Sequence, residues 1–545
     1  MQAYIIGIDT GGTYTDAVLI DRQTKRVIAT AKKPTTHQDL AIGTGQALTE
    51  LFRQTGVAPH QIASLAVSST LATNSVVENK GARVVLLVIG YVRHFKLPVK
   101  AVVFIKGGHT ITGKEEEPLD LEYLVEVVHR LKDEVDAYGV CSAMSMHNPA
   151  HELVAEKAIA MIDAKPVFCS HRISSIAGMK ERAATAGLHA KLMPLMQDYI
   201  RGVGEAMARL ELSCPVYIIS GNGQTISAQN AIEHAGLTVA SGPACTAHFG
   251  ALQSTADSLV VDVGGTTTDI ALIRAGRPIL TADGCKIGDW QTHVEAVDMV
   301  TGGIGGDSFA RIDEHGHIHL GPTRVVPLAM AADVANPEEW LGNGDQGKLI
   351  LLTATQQPAL GDTILAHLHR TGHATPFELR QTTGLSGIPL EQSLEQLARQ
   401  QLISEIGFTP TDALHVLGQL QIGNRQIPTK AATILGRIIG LTAEEFSDKV
   451  LAMAEKKIEN LILDYVINHH WGKSLTGFLA ERDDHPILGV EFSLKIPLIG
   501  IGAAARLLLP KVATRLRTTL SFPDNCEVGN AIGAAMISAS EVNQP

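Results

Sequence analysis

Two stretches of this chain carry one pattern: GIDTGGTYTDAVLI, from Gly7 to Ile20, and VVDVGGTTTDIALI, from Val260 to Ile273. They agree at Asp9/Asp262, Gly11/Gly264, Gly12/Gly265, Thr13/Thr266, Thr15/Thr268, Asp16/Asp269, Leu19/Leu272 and Ile20/Ile273. In each copy an apolar run leads into Asp-x-Gly-Gly-Thr and a second apolar run follows, which reads as strand, tight turn, strand. Paired glycines remove Cβ atoms and allow positive φ, so successive backbone N–H groups can face one anion. The threonines at 13, 15, 266 and 268 add hydroxyl donors. An aspartate ending the first strand is suited to hold the waters of a magnesium ion, which favours carboxylate, water and phosphate oxygens. A single copy could be an ordinary hairpin turn. Two copies in register point to two phosphate-binding half-sites, expected to face one polyphosphate from opposite walls of a cleft.

Length agrees with a multi-lobed chain, since 545 residues exceed what one core usually serves. A net charge of −11 argues against a general binder of nucleic acid or anionic membrane. The six cysteines (Cys141, Cys169, Cys214, Cys245, Cys285, Cys526) form no CxxC pair, which disfavours structural zinc and suits a reducing cytosol. The opening MQAYIIGID lacks a signal-peptide pattern, and the apolar run VVLLVIGYV is too short to span a bilayer. A soluble, cytoplasmic protein with no membrane or nucleic-acid partner is expected.

Two such half-sites resemble the phosphate hairpins of the actin, sugar-kinase and heat-shock-chaperone ATPase superfamily. The resemblance implies a two-lobed α/β fold of ribonuclease H-like type that binds ATP with Mg2+. Further stretches fit in order. GGIGGDSFA (Gly302–Ala310) resembles the glycine-rich turn after the second hairpin, with Gly302, Gly303, Gly305 and Gly306 as nucleotide contacts. IGIGAAARLLLP (Ile499–Pro510) resembles the adenosine motif, with Gly500 and Gly502. SGPACTA (Ser241–Ala247) and NAIGAA (Asn530–Ala535) resemble the small-residue helices near the hinge.

A narrower resemblance rests on STLATNSVVENKGARV (Ser69–Val84), KGGHTITGKEEEPLD (Lys106–Asp120), HNPAHE (His147–Glu152), the segment Ser170–Pro194, SGPA and VDMVTGGIGGDS, returning at TPTDALHVLGQL (Thr409–Leu420). Together these resemble the hydantoinase A/5-oxoprolinase family. The family implies ATP-dependent activation and hydrolysis of a cyclic amide, such as a hydantoin or 5-oxoproline, by phosphorylation of its carbonyl oxygen. Asp9 and Asp262 would serve the metal. Thr13 and Thr266, with Gly11, Gly12, Thr15, Gly264, Gly265 and Thr268, would stabilise the transferring phosphoryl group. Ser69–Asn74 and Gly107–His109 would line the substrate side. The family also implies a B-type partner subunit, and homo-oligomers are a further expectation. Where the family carries a Pro-Gly-Pro-x-Cys-Tyr tract, this chain has GPTRVVPLAMAADVANPEEW, so it reads as a short variant. Alternatives from other classes are an enzyme-reactivating chaperone ATPase and a small-molecule kinase.

The expected division is 1–190 for the lobe with the first hairpin, 191–355 for the lobe with the second, 356–420 for an insert and 421–545 for the remainder. The insert has three helix-like segments with breakers near Thr375-Pro376 and Gly387-Ile388-Pro389, and reads as winged-helix-like. Ile364, Leu365, Leu368, Phe377, Leu379, Leu394, Leu397 and Leu402 would form its core. From Asp362 to Glu405 it holds three arginines, no lysine and five acidic residues, a balance of 3 − 5 = −2. That suits a structural or protein-contact role better than DNA binding. His109 and His151 read as structural, GKEEEP as a solvated loop, Glu181-Arg182 as an ion pair, and the adjacent histidines of NHHWG as a poor chelate.

Overall fold

The computed structural model describes residues 2–541 except 12–13, 36–39, 78–80, 91–93, 174–177, 282–283, 288–289, 332–333, 342–346, 354–361, 400–401, 422, 483–486 and 488. The chain forms two compact units. The first comprises Met1–Ala256, Ala271–Asp298 and Val528–Pro545; the second comprises Asp257–Ile270 and Met299–Glu527.

The first unit begins β1 (Tyr4–Thr10), β2 (Tyr14–Asp21), β3 (Val27–Pro34), α1 (Leu40–Thr55), β4 (Ile62–Ser69), α2 (Leu71–Val77). It continues β5 (Val84–Ile89), β6 (Ala101–Ile105), α3 (Leu121–Leu131), β7 (Ala137–Ser142), α4 (Ala150–Ile162), β8 (Val167–Cys169). Then come α5 (Met179–Arg209), β9 (Val216–Ile219), β10 (Thr225–Ser227), α6 (Ala228–Glu233) and α7 (Ser241–Ala251), and the C-terminal helix Gly529–Glu541 completes it. α5 runs unbroken through residue 190, where the sequence pattern places its first boundary.

Its main sheet has the order β10-β9-β4-β1-β2-β3. β1, β2 and β3 are successively antiparallel, while β4 runs parallel to β1 and β9 parallel to β4. β1 is buried along nearly its whole length because both faces are covered, which is why YIIGIDT reads as a continuous apolar run. Ile6 and Ile8 join Leu48, Leu51, Leu188 and Leu192 of α1 and α5 in one core. On the other face Ala66 and Ile219 meet Cys245 of α7 and Ala534 and Ile537 of the C-terminal helix. There the backbones approach closely: a Cβ on Gly7 would stand 2.0 Å from the Ala531 carbonyl oxygen.

A second sheet, β6-β5-β7-β8, is parallel throughout. α3 and α4 cover one face through Leu124, Val127, Val128, Ala155 and Ile159, and α5 covers the other through Ala183, Ala186 and Ala190.

In the second unit β11 (Ser258–Val263) and β12 (Thr268–Arg274) form the repeated hairpin, and the chain passes from this unit to the first inside β12. Leu498–Ile501 runs parallel to β11 and Leu520–Ser521 parallel to it in turn, while Met299–Gly302 pairs with β12. This order repeats that of β3-β2-β1-β4-β9. The repetition of the hairpin in sequence is thus a repetition of the sheet built around it.

The insert packs helices Thr363–Thr371, Pro376–Thr383 and Ile388–Arg399 on a small sheet that includes Lys348–Leu352, His373–Ala374 and Ile403–Gly407. Six expected core residues are buried together: Ile364, Leu365, Leu368, Leu379, Leu394 and Leu397. Leu402 packs at the edge, and Phe377 is a correction at 46% exposed. It follows Pro376 in the first turn of its helix, where the face turned to the core is taken by Leu379. The six cysteines are all buried and unpaired. Among the described residues no helix is long and apolar enough to cross a membrane.

Candidate functional site

The first hairpin closes with Gly11 N donating to Tyr14 O at 3.0 Å; Gly12 and Thr13 lie outside the described residues. Asp9 is the last residue but one of β1 and is 4% exposed. Its Oδ1 accepts from Ser68 Oγ at 2.7 Å and its Oδ2 from Asn530 Nδ2 at 3.2 Å. Burial pushes its carboxyl above the usual carboxylate range, and those two hydrogen bonds pull the other way. Directly across the ladder stands Asp16, which burial pushes up to about 6 while Lys32, 3.1 Å away, opposes the rise. Thr10 is held by the Tyr199 hydroxyl of α5 at 2.8 Å.

The next strand delivers Ser69 and Thr70 to the same place. Thr70 N donates to Thr10 O at 3.0 Å, and Ser69 N donates to Ser241 Oγ at 3.1 Å. α7 and the C-terminal helix therefore both begin beside Asp9, adding the positive ends of two helix dipoles. The expected Ser69–Asn74 stretch thus starts at this hairpin. Gly107–His109 instead belongs to the loop after β6 on the second sheet.

The second hairpin closes identically, with Gly264 N donating to Thr267 O at 3.0 Å. Its support is different. The turn through Gly302–Gly306 lies on it, with Gly306 N donating to Gly264 O at 3.0 Å and Asp307 N to Gly265 O at 2.7 Å. A Cβ on Gly305 would stand 2.5 Å from Gly265 O and 2.6 Å from Gly264 O. After the strand Leu498–Ile501, Gly502 has φ +92°, and a Cβ there would stand 2.3 Å from Asp262 Oδ1. Ala504 N donates to Val263 O at 3.0 Å. Both glycine-rich motifs thus lie against the second hairpin, where Asp262 is only half-buried and Thr266 is exposed. Gly500 stands behind, against the Phe522 ring, and Gly303 against Pro322.

Thr15 and Thr268 are placed differently from the expectation of phosphate contacts. Both are fully buried. Thr15 Oγ1 lies 3.1 Å from Thr35 Oγ1, and Thr268 Oγ1 donates to Ile304 O at 2.7 Å. They brace their hairpins from behind. Asp269, the counterpart of Asp16, is likewise pushed up to about 6 by burial, with Thr301 and Thr267 opposing.

A further polar cluster, which sequence reasoning did not assemble, lies on the second sheet. Glu152 of α4 is fully buried and accepts from Ser142 N (2.7 Å), Ser170 Oγ (2.6 Å), His171 N (2.9 Å) and His171 Nδ1 (2.6 Å). Burial alone would raise its pKa; the hydrogen bonds from His171 and Ser170 outweigh it and hold the carboxyl below its ordinary value. Arg182 of α5, also buried, lies 3.6 Å from Glu152 and donates to Ser170 Oγ at 2.6 Å. The expected pairing of Arg182 with Glu181 is thereby corrected, because adjacent helical residues point in different directions. Glu152, Cys169 and His171 bring donor atoms within 4.8 Å of one another. With four hydrogen bonds and an arginine already on it, Glu152 is the anchor of a polar network and does not offer itself to a metal. Nearby, His151 accepts from Gly108 N at 2.9 Å and pairs with Glu115 at 2.9 Å, the structural role expected of it.

A cleft of about 490 Å³ between α1 and α5 is lined by Lys33, Gln46, Glu50, Glu205 and Arg209 and includes none of the hairpin residues.

Known proteins give this geometry a context. Residues 5–162 match the hydantoinase/oxoprolinase N-terminal region, and residues 182–337 match hydantoinase/oxoprolinase. The alpha subunit of caprolactamase from Pseudomonas jessenii is 28% identical over 364 residues, covering 59% of this chain and 50% of that protein. The acetophenone carboxylase gamma subunit of Aromatoleum aromaticum is 26% identical over 394 residues, covering 62% and 52%. The chain thus spans about half the length of the curated relatives it matches. Among solved structures, nucleotide-free acetone carboxylase superposes with a TM-score of 0.68 at 18% identity, covering 98% of this chain and 70% of that one. The ATP-dependent caprolactamase of Pseudomonas jessenii gives 0.65 at 22%, covering 97% and 70%. All three share this α/β fold.

Proposed function

This chain belongs to the hydantoinase/oxoprolinase family, and from that premise we propose that it uses ATP with Mg2+ to activate the carbonyl of a small cyclic amide. The observation that carries the reading is the pair of identically closed hairpins, each with an aspartate as the last residue but one of its first strand. The caprolactamase relative supports a lactam as the substrate class.

The roles divide by what each residue can reach. The glycine amides of Gly11, Gly12, Gly264 and Gly265 and the hydroxyls of Thr13 and Thr266 stabilise charge on the transferring phosphoryl group. Gly302, Gly303, Gly305, Gly306, Gly500 and Gly502 shape the nucleotide's surroundings through the second hairpin. Asp9 and Asp262 hold the waters of the metal. The donor set fits that role, since each Asp9 oxygen takes one protein hydrogen bond and keeps lone-pair capacity, and Asp262 is half-open to solvent. The bound cation would neutralise phosphate charge. Activation itself is a matter of chemistry at the ring: amide resonance makes the carbonyl a poor electrophile, and a phosphoryl group on its oxygen removes that protection. Because the relatives are named as subunits, a B-type partner subunit belongs to the proposal.

The test is to follow phosphate release with MgATP and a panel of hydantoins, 5-oxoproline and larger lactams, with and without a co-encoded partner. Stimulation by at least one cyclic amide is expected; none across the panel removes the reading. Calorimetric titration of nucleotide supplies the residue-level check. Asp9→Asn and Asp262→Asn should each weaken the magnesium dependence of binding by about tenfold or more, the scale of one lost charged contact. Unchanged magnesium-dependent affinity in both would refute the shared role.

A further inference from the structure

The hairpin that follows the glycine-rich turn of the second unit carries a distinctive donor set at its tip. Its strands, Ser308–Ile312 and Ile318–Arg324, pair antiparallel, with Ile312 opposite Ile318 and Arg311 opposite His319. Asp313-Glu314-His315-Gly316-His317 connects them, and Gly316 allows the turn with φ +81°. Histidines thus stand at every second position, 315, 317 and 319. In the returning strand Leu320 is buried, so the alternation of a strand turns His319, and His317 two residues before it, to the opposite face. Two imidazoles on one strand face can close on a single ion.

Asp313 distinguishes this tip from a run of solvated histidines. Its Oδ1 accepts from His315 N at 2.9 Å and from His317 N at 2.8 Å, which fixes the carboxylate to the turn. Its Oδ2 lies 2.7 Å from His319 Nε2 and 3.4 Å from His317 Nδ1, so two ring nitrogens share one oxygen. A tetrahedral zinc ion, with bonds near 2.0–2.1 Å, holds neighbouring ligand atoms about 3.3 Å apart, and both spacings lie within about 0.6 Å of that. The Asp313 side chain is 21% exposed, whereas those of His317 and His319 are 74% and 44% exposed. The anion is therefore held in place, and the rings have room to turn and close the set. Asp313 and Glu314 also outnumber Arg311 at the tip, which favours a cation.

We propose that Asp313, His317 and His319 form a binding site for one divalent transition-metal ion, with water completing the coordination. Imidazole nitrogens suit zinc and its neighbours in the first transition row, whereas Mg2+ is held by oxygen, so this site differs in kind from the one assigned to Asp9 and Asp262. His319 binds through Nε2 and His317 through Nδ1, each as the neutral ring that keeps its proton on the other nitrogen. The ion takes the place of the two contacts on Asp313 Oδ2, while the main-chain hydrogen bonds to Oδ1 continue to orient the carboxylate from behind. The site stands apart from the nucleotide motifs. Asp313 follows the strand that starts at Ser308, five residues on, or about 17 Å at 3.3 Å per residue.

The experiment uses the full chain, stripped of metal by a chelator and without nucleotide. Zn2+ is titrated in a calorimeter, and Co2+ is followed by its visible absorption. Wild type should bind one Zn2+ at this hairpin and give the intense visible bands of four-coordinate Co2+. His317→Ala/His319→Ala should lower zinc affinity at least about 100-fold, beyond what loss of an outer partner costs, and abolish those bands. Asp313→Asn keeps an acceptor for the two main-chain N–H groups but removes the anion, and should weaken binding at least about tenfold. His469→Ala/His470→Ala, which removes two adjacent histidines from the helix Ala443–Trp471, should bind as wild type does. Urea midpoints without zinc verify that each variant is folded. Zinc uptake absent from wild type, or equally strong in His317→Ala/His319→Ala, would overturn the site. So would an equal loss in the helix variant, the mark of adventitious binding by surface histidines only.

Discussion

The two hairpins share eight residues and the same closing hydrogen bond, yet they are held in opposite ways. Side chains from distant elements secure the first: Ser68 and Asn530 on Asp9, Tyr199 on Thr10, Thr35 on Thr15. Main chain secures the second, with Gly305, Gly306 and Asp307 against Gly264 and Gly265, and Gly502 against Asp262. The first aspartate is accordingly sealed and the second half-open. One sequence device can therefore be fixed at its turn by hydrogen-bonding side chains or by backbone approach, and the second method demands glycine in the segments that press on the turn, at Gly305 and Gly502.

Substitution of those glycines should break the comparison most sharply. Gly305→Ala and Gly502→Ala each force a Cβ into backbone or carboxylate oxygen, and should lower stability by about 3 kcal/mol or more, the top of the range for overpacking. Gly264→Ala has only Thr267 O at 3.6 Å to meet and should cost far less. Urea midpoints compare the three; equal losses would mean that backbone approach does not distinguish these positions.

The second hairpin's inner carboxylate sharpens the contrast next. Asp269 is pushed from 3.8 to about 6, so folding favours its protonated form. Its stabilising contribution is complete below pH 3.8 and is lost as the pH rises through about 6. Asp269→Asn should thus raise stability above pH 6 by at most about 3 kcal/mol, with no gain below pH 4. Asp16→Asn should gain less, because it also gives up the Lys32 contact at 3.1 Å. Denaturant titrations at pH 4 and pH 8 read both; a stabilisation that persists unchanged at pH 4 would contradict the burial argument.

The smallest effect concerns the bracing threonines. Thr268→Val leaves the Ile304 carbonyl without its 2.7 Å donor and should cost about 1–2 kcal/mol. Thr15→Val should cost about half as much, because Thr35 Oγ1 still donates to Gly11 O at 2.9 Å. Equal urea midpoints for the two variants would erase this difference between the hairpins.

Much of this design is legible in sequence because it is local. Strand, Gly-Gly turn and strand lie within fourteen residues of Gly7 and of Val260, and the helical period of the insert names six of its core residues. The partners of Asp9 are not local: Ser68 lies 59 residues away and Asn530 lies 521 away. Their contacts depend on strand order, which no periodicity encodes. Glu152, His171 and Arg182 all fall within family-like stretches, but only the parallel sheet brings the ends of β7, β8 and α5 together. The misplaced Glu181–Arg182 pair has the same origin, since adjacency in the chain says nothing of the direction a helical side chain takes.

α5 has a mechanical consequence. Its 31 residues make a strut that is clamped to the Glu152 network through Arg182 in its first turn and to Thr10 through Tyr199, about two-thirds of the way along. A rod so anchored converts a small displacement at Thr10 into a translation of Arg182 along the rod's axis. Between the clamps, Pro194 has no N–H to give the carbonyl of Ala190, one missing rung in an otherwise continuous ladder. Bending compliance concentrates at that notch while axial stiffness is retained, so the rod passes a push along its length and absorbs a sideways load.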